Sequence, residues 1–474
     1  MQEIPIAAQP IDRYTPIVGE EAVEAAREIG ARIRKRIEGR VIWNVNSTAH
    51  GGGVVEILRA LLPYARGLDI DARWLVIEGT PEFFRITKRL HNALHGAPGD
   101  GSPLDDEARA TYDRVLLENM KELLALVRPR DIVLLHDPQT AGLAPELIRA
   151  GAVVIWRCHI GADEFTEQAV LGWDFLEPYL RDIPALIFTR RQYIPECCDH
   201  DRSVIIPPSI DPFSAKNQEM DEETVRAILV HTGLVEGPLG PGQPVFRRED
   251  GSPGRVDRQA DIVRLGRPPT WEKPLIVQVS RWDSLKDPIG VMEGFALLLD
   301  ETAANQAELL LAGPNVRAIP DDPESASVLD ATIERWRELP HAHRGRIHLA
   351  CLPMADDEEN AAIVNALQRH AAIVVQKSLQ EGFGLTVTEA MWKGRPVIAS
   401  AVGGIQEQIE DGVHGLLLDD PEDLIGFGKL LYRLLANQPL AEELGHNAKE
   451  KARRGYLGVR QLVQHAELLE RMDI

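Results

Sequence analysis

The sequence contains few cysteines and no long hydrophobic run, and both shortages restrict what it can be. Four cysteines are scattered through 474 residues without any C-x-x-C pair, which argues against a disulfide scaffold and against a zinc ribbon. No apolar run reaches the ~18 residues that a membrane span needs, and the first residues lack a basic start followed by an apolar stretch. We therefore expect a soluble cytoplasmic protein with reduced cysteines and no membrane partner.

Basic residues are also in short supply. The chain has 52 Lys and Arg against 73 Asp and Glu, a formal charge of −21. Such an excess of negative charge opposes non-specific binding to nucleic acid or to anionic lipid. An anionic small molecule would have to be bound by local groups of basic side chains.

What the sequence does contain is a regular alternation of short apolar runs with longer helical patterns. Its length exceeds that of one ordinary domain, and 44% hydrophobic residues suffice for two cores. The strand-like runs form two series: 41–45, 74–77, 132–135, 153–156, 185–188 and 204–206; then 275–279, 309–312, 347–349, 373–375 and 397–399. The alternation predicts an α/β protein with two doubly wound, Rossmann-like parallel-sheet domains.

Two connecting segments differ from this pattern. Residues 207–212, with three prolines, predict a rigid extended stretch that suits a crossing between domains. Residues 237–269 are rich in Gly, Pro and charge without a sustained period, which predicts an irregular inserted loop.

The most informative segment is 381–389, in which Glu381 and Glu389 bracket a glycine-containing turn after an apolar run. It predicts a strand, a tight turn and a helix. At the carboxyl end of a parallel strand, such a turn points the positive end of the helix at an anion and lets Glu381 reach the bound sugar or phosphate. The alternative is an ordinary strand-to-helix connection with two solvated glutamates.

A second candidate is the triple glycine that follows the first predicted strand and ends at Gly53. Three glycines allow the backbone to approach a phosphate closely. The spacing fits neither the dinucleotide fingerprint nor the Walker pattern, so a dinucleotide or ATP site is weakly supported. Taken alone, the segment could equally be a structural turn.

The third candidate is a pair of cations, Arg281 and Lys286, just beyond the strand at 275–279. Two cations there can stabilise the charge that develops on a departing nucleoside diphosphate, replacing a metal. Outside that setting they would be ordinary solvated side chains. His159 likewise follows a strand end, where a buried structural histidine is the simpler interpretation.

A metal site is not expected. The two Asp-x-Asp matches, at 69–71 and 199–201, precede a strand or lie in a polar connection, and an acidic chain contains such matches by chance.

Together these segments resemble the trehalose glycosyltransferring synthases, within the retaining nucleotide-sugar glycosyltransferases of the glycogen and sucrose synthase type. The resemblance rests on these segments: 46–53, 136–139, 156–159, 207–212, 279–283 and the glutamate pair. It implies a GT-B-like fold, with the two domains facing across a cleft: an acceptor-side domain at 1–210, a nucleotide-sugar domain at 211–440, and helices at 441–474 that pack back on the first.

The resemblance also implies the reaction. Glucose would pass with retention, and reversibly, from ADP-, UDP- or GDP-glucose to free glucose, giving α,α-trehalose without a cofactor. The partners would be small sugars and nucleotide sugars, and a homodimer is left open. Fungal-type trehalose phosphorylases and other retaining glucosyltransferases remain alternatives, as do a sugar-nucleotide epimerase and a sugar-binding protein without catalysis.

Residue roles follow from the resemblance. Glu381, Arg281, Lys286 and His159 would be catalytic, with Glu381 positioning donor hydroxyls. Contacts to the transferred and acceptor sugars are expected from Asn46, Asp137, His159 and Glu381, and Glu389 would hold the ribose. The donor would be bound by these residues: Gly52, Gly53, Arg281, Lys286, Gly382, Phe383, Gly384, Leu385 and Glu389.

Overall fold

We describe a computed structural model of the chain, which covers residues 1–238, 240–301, 306–316 and 323–472; for Glu301 and Pro323 only the backbone is described. Within these residues, no helix is both long enough and apolar enough to cross a membrane. The chain forms two compact units. Unit 1 comprises 1–211, 381–383 and 454–474, and unit 2 comprises 212–380 and 384–453.

Unit 1 is built on a seven-stranded sheet with the order β1-β3-β2-β4-β5-β6-β7. Its strands are β1 (Gln2–Ile4), β2 (Ile42–Asn46), β3 (Ala72–Val76), β4 (Ile132–His136), β5 (Val153–Cys158), β6 (Ala185–Phe188) and β7 (Ser203–Ile205). Only the edge strand β1 pairs antiparallel, and the other six are parallel.

Helices cover both faces of this sheet. They are α1 (Thr15–Val18), α2 (Glu20–Ile37), α3 (Gly53–Gly67), α4 (Pro81–Leu94), α5 (Asp106–Leu126), α6 (Pro138–Ala141), α7 (Ala144–Arg149), α8 (Glu167–Leu180) and, from the end of the chain, α18 (Gly458–Arg471). Alternate residues of a strand enter different cores: Val133 and Leu135 pack on one face, Ile132 and Leu134 on the other. Strands buried on both faces read as continuous apolar runs, which is why the sequence revealed them.

Unit 2 repeats the design with the strand order β10-β13-β12-β11-β14-β15-β16. The strands are β8 (Val245–Arg247), β9 (Pro253–Arg255), β10 (Asp261–Val263), β11 (Leu275–Val279), β12 (Glu308–Pro314), β13 (Ile347–Leu352), β14 (Ile373–Gln376), β15 (Val397–Ser400) and β16 (Leu416–Leu418). The antiparallel edge is β10, on β13, and β8 pairs with β9 outside the main sheet.

The helices of unit 2 complete its layers. They are α9 (Glu222–His231), α10 (Pro288–Glu301), α11 (Pro323–Glu338), α12 (His341–Arg344), α13 (Asp357–His370), α14 (Leu385–Trp392), α15 (Ile405–Gln408), α16 (Leu424–Leu435) and α17 (Gln438–Gly455). All eleven apolar runs that predicted strands are strands, with ends shifted by no more than three residues. Outside residues 237–269, the prediction missed the short strands β1 and β16.

The expectation of an irregular loop at 237–269 is wrong in part, since the segment contains the hairpin β8-β9 and the strand β10. The acidic first turn of α13 anchors it. Arg248 forms ion pairs with Asp356 and Glu358, and the buried Glu359 accepts the backbone N–H of Arg258. Carboxylates suit a helix N-terminus, so the same groups stabilise α13 and hold the insertion. Pairs of charges distant in sequence leave no local periodic signal.

Candidate functional site

In unit 1 the polar candidate residues lie at the point where the order of the strands reverses. β2 and β4 are neighbours at the centre, while β3 lies on the other side of β2 and β5 beyond β4. In doubly wound sheets, ligands bind outside the carboxyl ends of the two strands at such a switch point. Asn46 ends β2, and His136 ends β4 immediately before Asp137.

The glycine loop after β2 depends on backbone conformation. Gly51 and Gly52 have φ values of 66° and 83°, and a Cβ atom built on either meets nothing within 4 Å. The requirement for glycine is therefore conformational and not steric. Gly52 precedes the first residue of α3, Gly53, so the loop leads into a helix N-terminus. The Asn46 amide accepts from Trp74 Nε1 at 2.7 Å and donates to the Thr48 carbonyl at 2.7 Å, which orders the start of the loop.

Asp137 is held in an unusual conformation directly after β4. Its φ is 63°, it is 8% exposed, and its Oδ1 accepts the backbone N–H of His159 at 2.7 Å. Burial raises the pKa of Asp137 to about 7, against the opposing effects of the His159 hydrogen bond and of Arg157. A positive φ in a residue other than glycine persists only where its surroundings enforce it, and such strain is concentrated at functional sites.

His159 follows β5 and lies beside a second histidine. Its Nε2 is 3.2 Å from His136 Nδ1, and the two ring planes differ by 16°. Burial, followed by the charge of Arg157, holds the pKa of both histidines well below the usual value, so both rings are neutral at pH 7.

The segment 381–383 belongs to unit 1 and is packed against the His159 loop. The Tyr193 hydroxyl lies 3.0 Å from the Glu381 carbonyl and 2.9 Å from that of Gly382. A Cβ on Gly382 would come within 2.8 Å of the His159 carbonyl, so a side chain there would force the backbone apart. Phe383 packs edge-on against Tyr456. His159, Asp137 and the Glu381 backbone are thus brought together.

The switch point of unit 2 lies between β11 and β14. Arg281 follows β11, is exposed, and forms an ion pair with the buried Asp283 at 3.1 Å. Asp283 also accepts the Leu285 N–H and so caps the 3-10 turn that presents Lys286. The Lys286 carbonyl accepts from Gln278 Nε2 at 2.9 Å. The Arg281 side chain and the Lys286 backbone are therefore fixed by local bonds at the strand end.

The expected strand, turn and helix at 373–392 are present. Gly384, with φ 85°, precedes α14, which begins at Leu385 and contains Glu389. The Glu389 side chain is 1% exposed, and its Oε1 lies 3.1 Å from Lys216 Nζ. Lys393, one turn later, bonds to the Glu389 carbonyl, and burial lowers its pKa to about 7.

Sequence reasoning missed Lys377, the residue immediately after β14. Its ammonium group is 1% exposed and forms an ion pair with Asp287, one residue after Lys286. The Asp287 Oδ1 also accepts the Gly290 N–H at the start of α10. The pair therefore connects the two segments that follow β11 and β14. A lysine directly after a buried strand was the available signal.

In the part of the chain that the structure describes, no group of three or more His, Cys, Asp or Glu residues is arranged to hold a metal ion. Of the Asp-x-Asp matches, Asp71 pairs with Arg73 at 2.8 Å, and Asp199 caps the short turn His200–Arg202.

Two doubly wound units with polar groups at their switch points are typical of the GT-B fold class. The solved α,α-trehalose-phosphate synthase (UDP-forming) of Burkholderia xenovorans has the same fold, with a TM-score of 0.67 at 18% identity over 91% of this chain and 100% of that one. Family models also match both units: "Trehalose synthase, N-terminal domain" over residues 44–195 and "Glycosyl transferases group 1" over residues 267–451.

Relatives narrow the class further. A trehalose synthase of Pyrococcus horikoshii is 34% identical over 99% of this chain and 98% of its own length. A trehalose phosphorylase of Pleurotus pulmonarius is 25% identical over 93% of this chain but only 58% of its own. The chain belongs to the trehalose synthase family of group 1 glycosyl transferases and is an enzyme that uses a nucleotide-sugar donor.

Proposed function

We propose that this enzyme transfers glucose from a nucleotide-glucose donor to free glucose, forming α,α-trehalose with retention at the donor carbon. The observation that carries the proposal is the near full-length similarity to a trehalose synthase. The charged residues expected at the donor site, Arg281, Lys286, Glu381 and Glu389, are also all present. The reaction is reversible, so trehalose and a nucleoside diphosphate regenerate the donor.

The donor diphosphate is assigned to residues at the unit 2 switch point. Arg281 and Lys286 supply the positive charge, and the N-terminus of α14 supplies the backbone dipole. The charge on the β-phosphate grows as the glycosidic bond breaks, so these groups bind the transition state more tightly than the ground state. Glu389, buried beside Lys216, accepts from the ribose hydroxyls. Gly52 and Gly53 contact the diphosphate through their backbone.

The sugars are assigned to polar residues of unit 1. Asp137 accepts hydroxyls of the acceptor glucose, His159 flanks the transferred glucose, and Glu381 positions its hydroxyls. Asn46 orders the neighbouring loop through Trp74 and Thr48 and contributes its remaining acceptor capacity.

The transfer requires no nucleophile from the protein. The bond from the anomeric carbon to the β-phosphate oxygen breaks, and a bond to the anomeric oxygen of the acceptor forms on the same face. The proton of that acceptor hydroxyl passes to the departing phosphate oxygen. The protein's task is to hold both sugars and neutralise the diphosphate.

Phosphorolysis is the second candidate, since the trehalose phosphorylase relative matches 93% of this chain. Inorganic phosphate would then occupy the position of the β-phosphate beside Arg281 and Lys286. An epimerase would release nucleoside diphosphate with a rearranged sugar and no acceptor, and another glucosyltransferase would use a different acceptor.

The deciding experiment incubates trehalose separately with phosphate and with ADP, UDP or GDP. We expect nucleotide-glucose and glucose with at least one diphosphate, and no glucose 1-phosphate with phosphate alone. Glucose 1-phosphate from phosphate alone would make the enzyme a phosphorylase. Absence of cleavage in every mixture would reject trehalose as the product.

Further details of the proposal have their own measurements. The donor panel in that assay identifies the base, and activity in EDTA tests whether the chemistry is independent of divalent metal. Sedimentation tests for a homodimer. Limited proteolysis tests the proposed domains at 1–210, 211–440 and 441–474.

A further inference from the structure

Three polar side chains of unit 1 form a continuous hydrogen-bonded chain that ends at the proposed sugar site. Asn44 Oδ1 is 3.2 Å from His136 Nε2, and His136 Nδ1 is 3.2 Å from His159 Nε2. Asn44 and His136 are 2% and 3% exposed, on the adjacent central strands β2 and β4. The planes of the two histidine rings are nearly parallel, differing by 16°.

The direction of this chain follows from its first member. With Asn44 Oδ1 facing His136, the amide oxygen can only accept, so His136 Nε2 carries the hydrogen and donates it to Asn44. A neutral imidazole has one donor and one acceptor, and His136 Nδ1 is then the acceptor. Its donor is the Nε2–H of His159. His159 Nδ1 is consequently left with a lone pair.

That nitrogen is the buried end of the hydrogen-bonded series. His159 Nδ1 is buried and has no hydrogen-bond partner within the described residues, although the backbone N–H of His159 is bonded to Asp137. A buried acceptor without a donor destabilises the free protein. A hydroxyl that donates to Nδ1 would remove this cost, and sugar hydroxyls are suitable donors.

We propose that Asn44 and His136 are positioning residues that set the tautomer of His159, so that its Nδ1 accepts a hydrogen bond from a hydroxyl of the transferred glucose. This rests on the proposed function only for the identity of the sugar. The tautomer itself is a property of the free protein. If the Asn44 amide were reversed, both hydrogen bonds would run in the opposite direction and His159 Nδ1 would be a donor. The two orientations therefore predict different tautomers of His159.

The primary test is nuclear magnetic resonance of protein labelled with ¹⁵N in histidine rings, at about pH 7.5 without ligand. Loss of signals in His136→Gln and His159→Gln assigns the two rings. We expect both rings to be neutral and protonated at Nε2. A His159 ring protonated at Nδ1 would overturn the proposal, and this result requires no variant to be active.

Variants then test whether Asn44 is the cause. Asn44→Leu, close in volume, removes the acceptor, and we expect His159 to populate both tautomers. Asn44→Asp restores an oxygen that only accepts, and the Nε2–H tautomer should return at about pH 8. His465→Gln is the control for losing buried polar contacts in the same unit, since His465 bonds Arg157 and not His159. An unchanged His159 tautomer in Asn44→Leu would refute the assignment.

Kinetics connect the tautomer to the sugar. Asn44→Leu should lower kcat/KM for nucleotide-glucose by about tenfold, the scale of one neutral hydrogen bond, with partial recovery in Asn44→Asp. Among deoxyglucose donors, one should be used equally well by the wild type and by Asn44→Leu, because the hydroxyl that meets His159 is already missing. A constant tenfold deficit with every deoxy donor would show that Asn44 acts elsewhere. If the expected tautomer is present but no trehalose is made, trehalose is rejected as the product. The role of Asn44 and His136 in setting the His159 tautomer is then retained.

Discussion

The two units place polar groups at equivalent positions but treat charge in opposite ways. At the unit 1 switch point burial favours neutral forms: His136 and His159 have depressed pKa values, and Asp137 has a pKa raised to about 7. At the unit 2 switch point the buried Lys377 and Glu389 are each paired with a partly exposed ion, Asp287 and Lys216, although burial lowers the pKa of Lys393 near Glu389 to about 7.

The difference matches the chemistry proposed for each unit. Neutral hydrogen-bonding groups discriminate among sugar hydroxyls without attracting unrelated ions. A diphosphate needs net positive charge, and charges can be kept in a protein interior when each has a partner. One fold type thus supports two kinds of binding surface, according to which side chains follow its strands.

The largest expected effect concerns the unit 2 cations. Arg281→Ala and Lys286→Ala should each lower kcat by about two orders of magnitude or more, since each removes charge that stabilises the departing diphosphate. Steady-state rates with the preferred donor measure this. Arg267→Ala, which removes an 85% exposed arginine of the same unit, is the matched control and should retain activity. Near-normal turnover of either active-site variant would contradict the phosphate role.

The next effect tests whether pairing is what makes charge tolerable in unit 2. Lys377→Met should lower the free energy of unfolding by roughly 2 kcal/mol, because it leaves the Asp287 carboxylate, 18% exposed, without its cation. Urea unfolding of the variant measures this. Arg248→Ala is the comparison, because it breaks ion pairs that are more exposed to solvent. It should lower the free energy of unfolding by less than about 1 kcal/mol. Equal losses would remove the distinction.

Asp137→Asn tests the neutral surface of unit 1. The amide oxygen can still accept the His159 N–H, but the variant loses carboxylate acceptors for the acceptor sugar, so KM for glucose should rise by about tenfold while the donor KM changes little. The pH dependence sharpens this. With its pKa raised to about 7, Asp137 gains a proton as pH falls, so wild-type kcat/KM for glucose should drop below about pH 7. A wild-type profile as flat as that of the variant would contradict this role.

The smallest effect concerns stability at low pH. Burial lowers the pKa of His465 to about 3, against about 6.5 in an unfolded chain. Below about pH 6.5 the unfolded state therefore binds a proton that the folded state does not. Because of this histidine, the free energy of unfolding decreases as pH falls from about 6.5 towards 3. His465→Gln should be spared roughly 1 kcal/mol of that loss by about pH 6. Parallel melting curves of both proteins between about pH 7.5 and 5.5 would contradict this.

Strands buried on both faces produce continuous apolar runs, so the two doubly wound sheets could be predicted without knowing any contact. The edge strands β1 and β10 were not predicted, because each is three residues long and half exposed, and so is too short to show a period in the sequence. The anchoring of 237–269 escaped because Arg248 and its carboxylate partners lie more than 100 residues apart.

The sequence by itself determined the class of fold, the family, and the candidate residues that follow each strand, because strand periodicity and strand-end motifs are local. Only the tertiary structure decided their electrostatic state. The pKa of Asp137 depends on burial by distant segments, the Lys377 and Asp287 pair on two crossovers meeting at one sheet edge, and the His159 tautomer on Asn44, 115 positions away in the chain. Desolvation and hydrogen-bond direction are set by neighbours in space, which a linear sequence does not display.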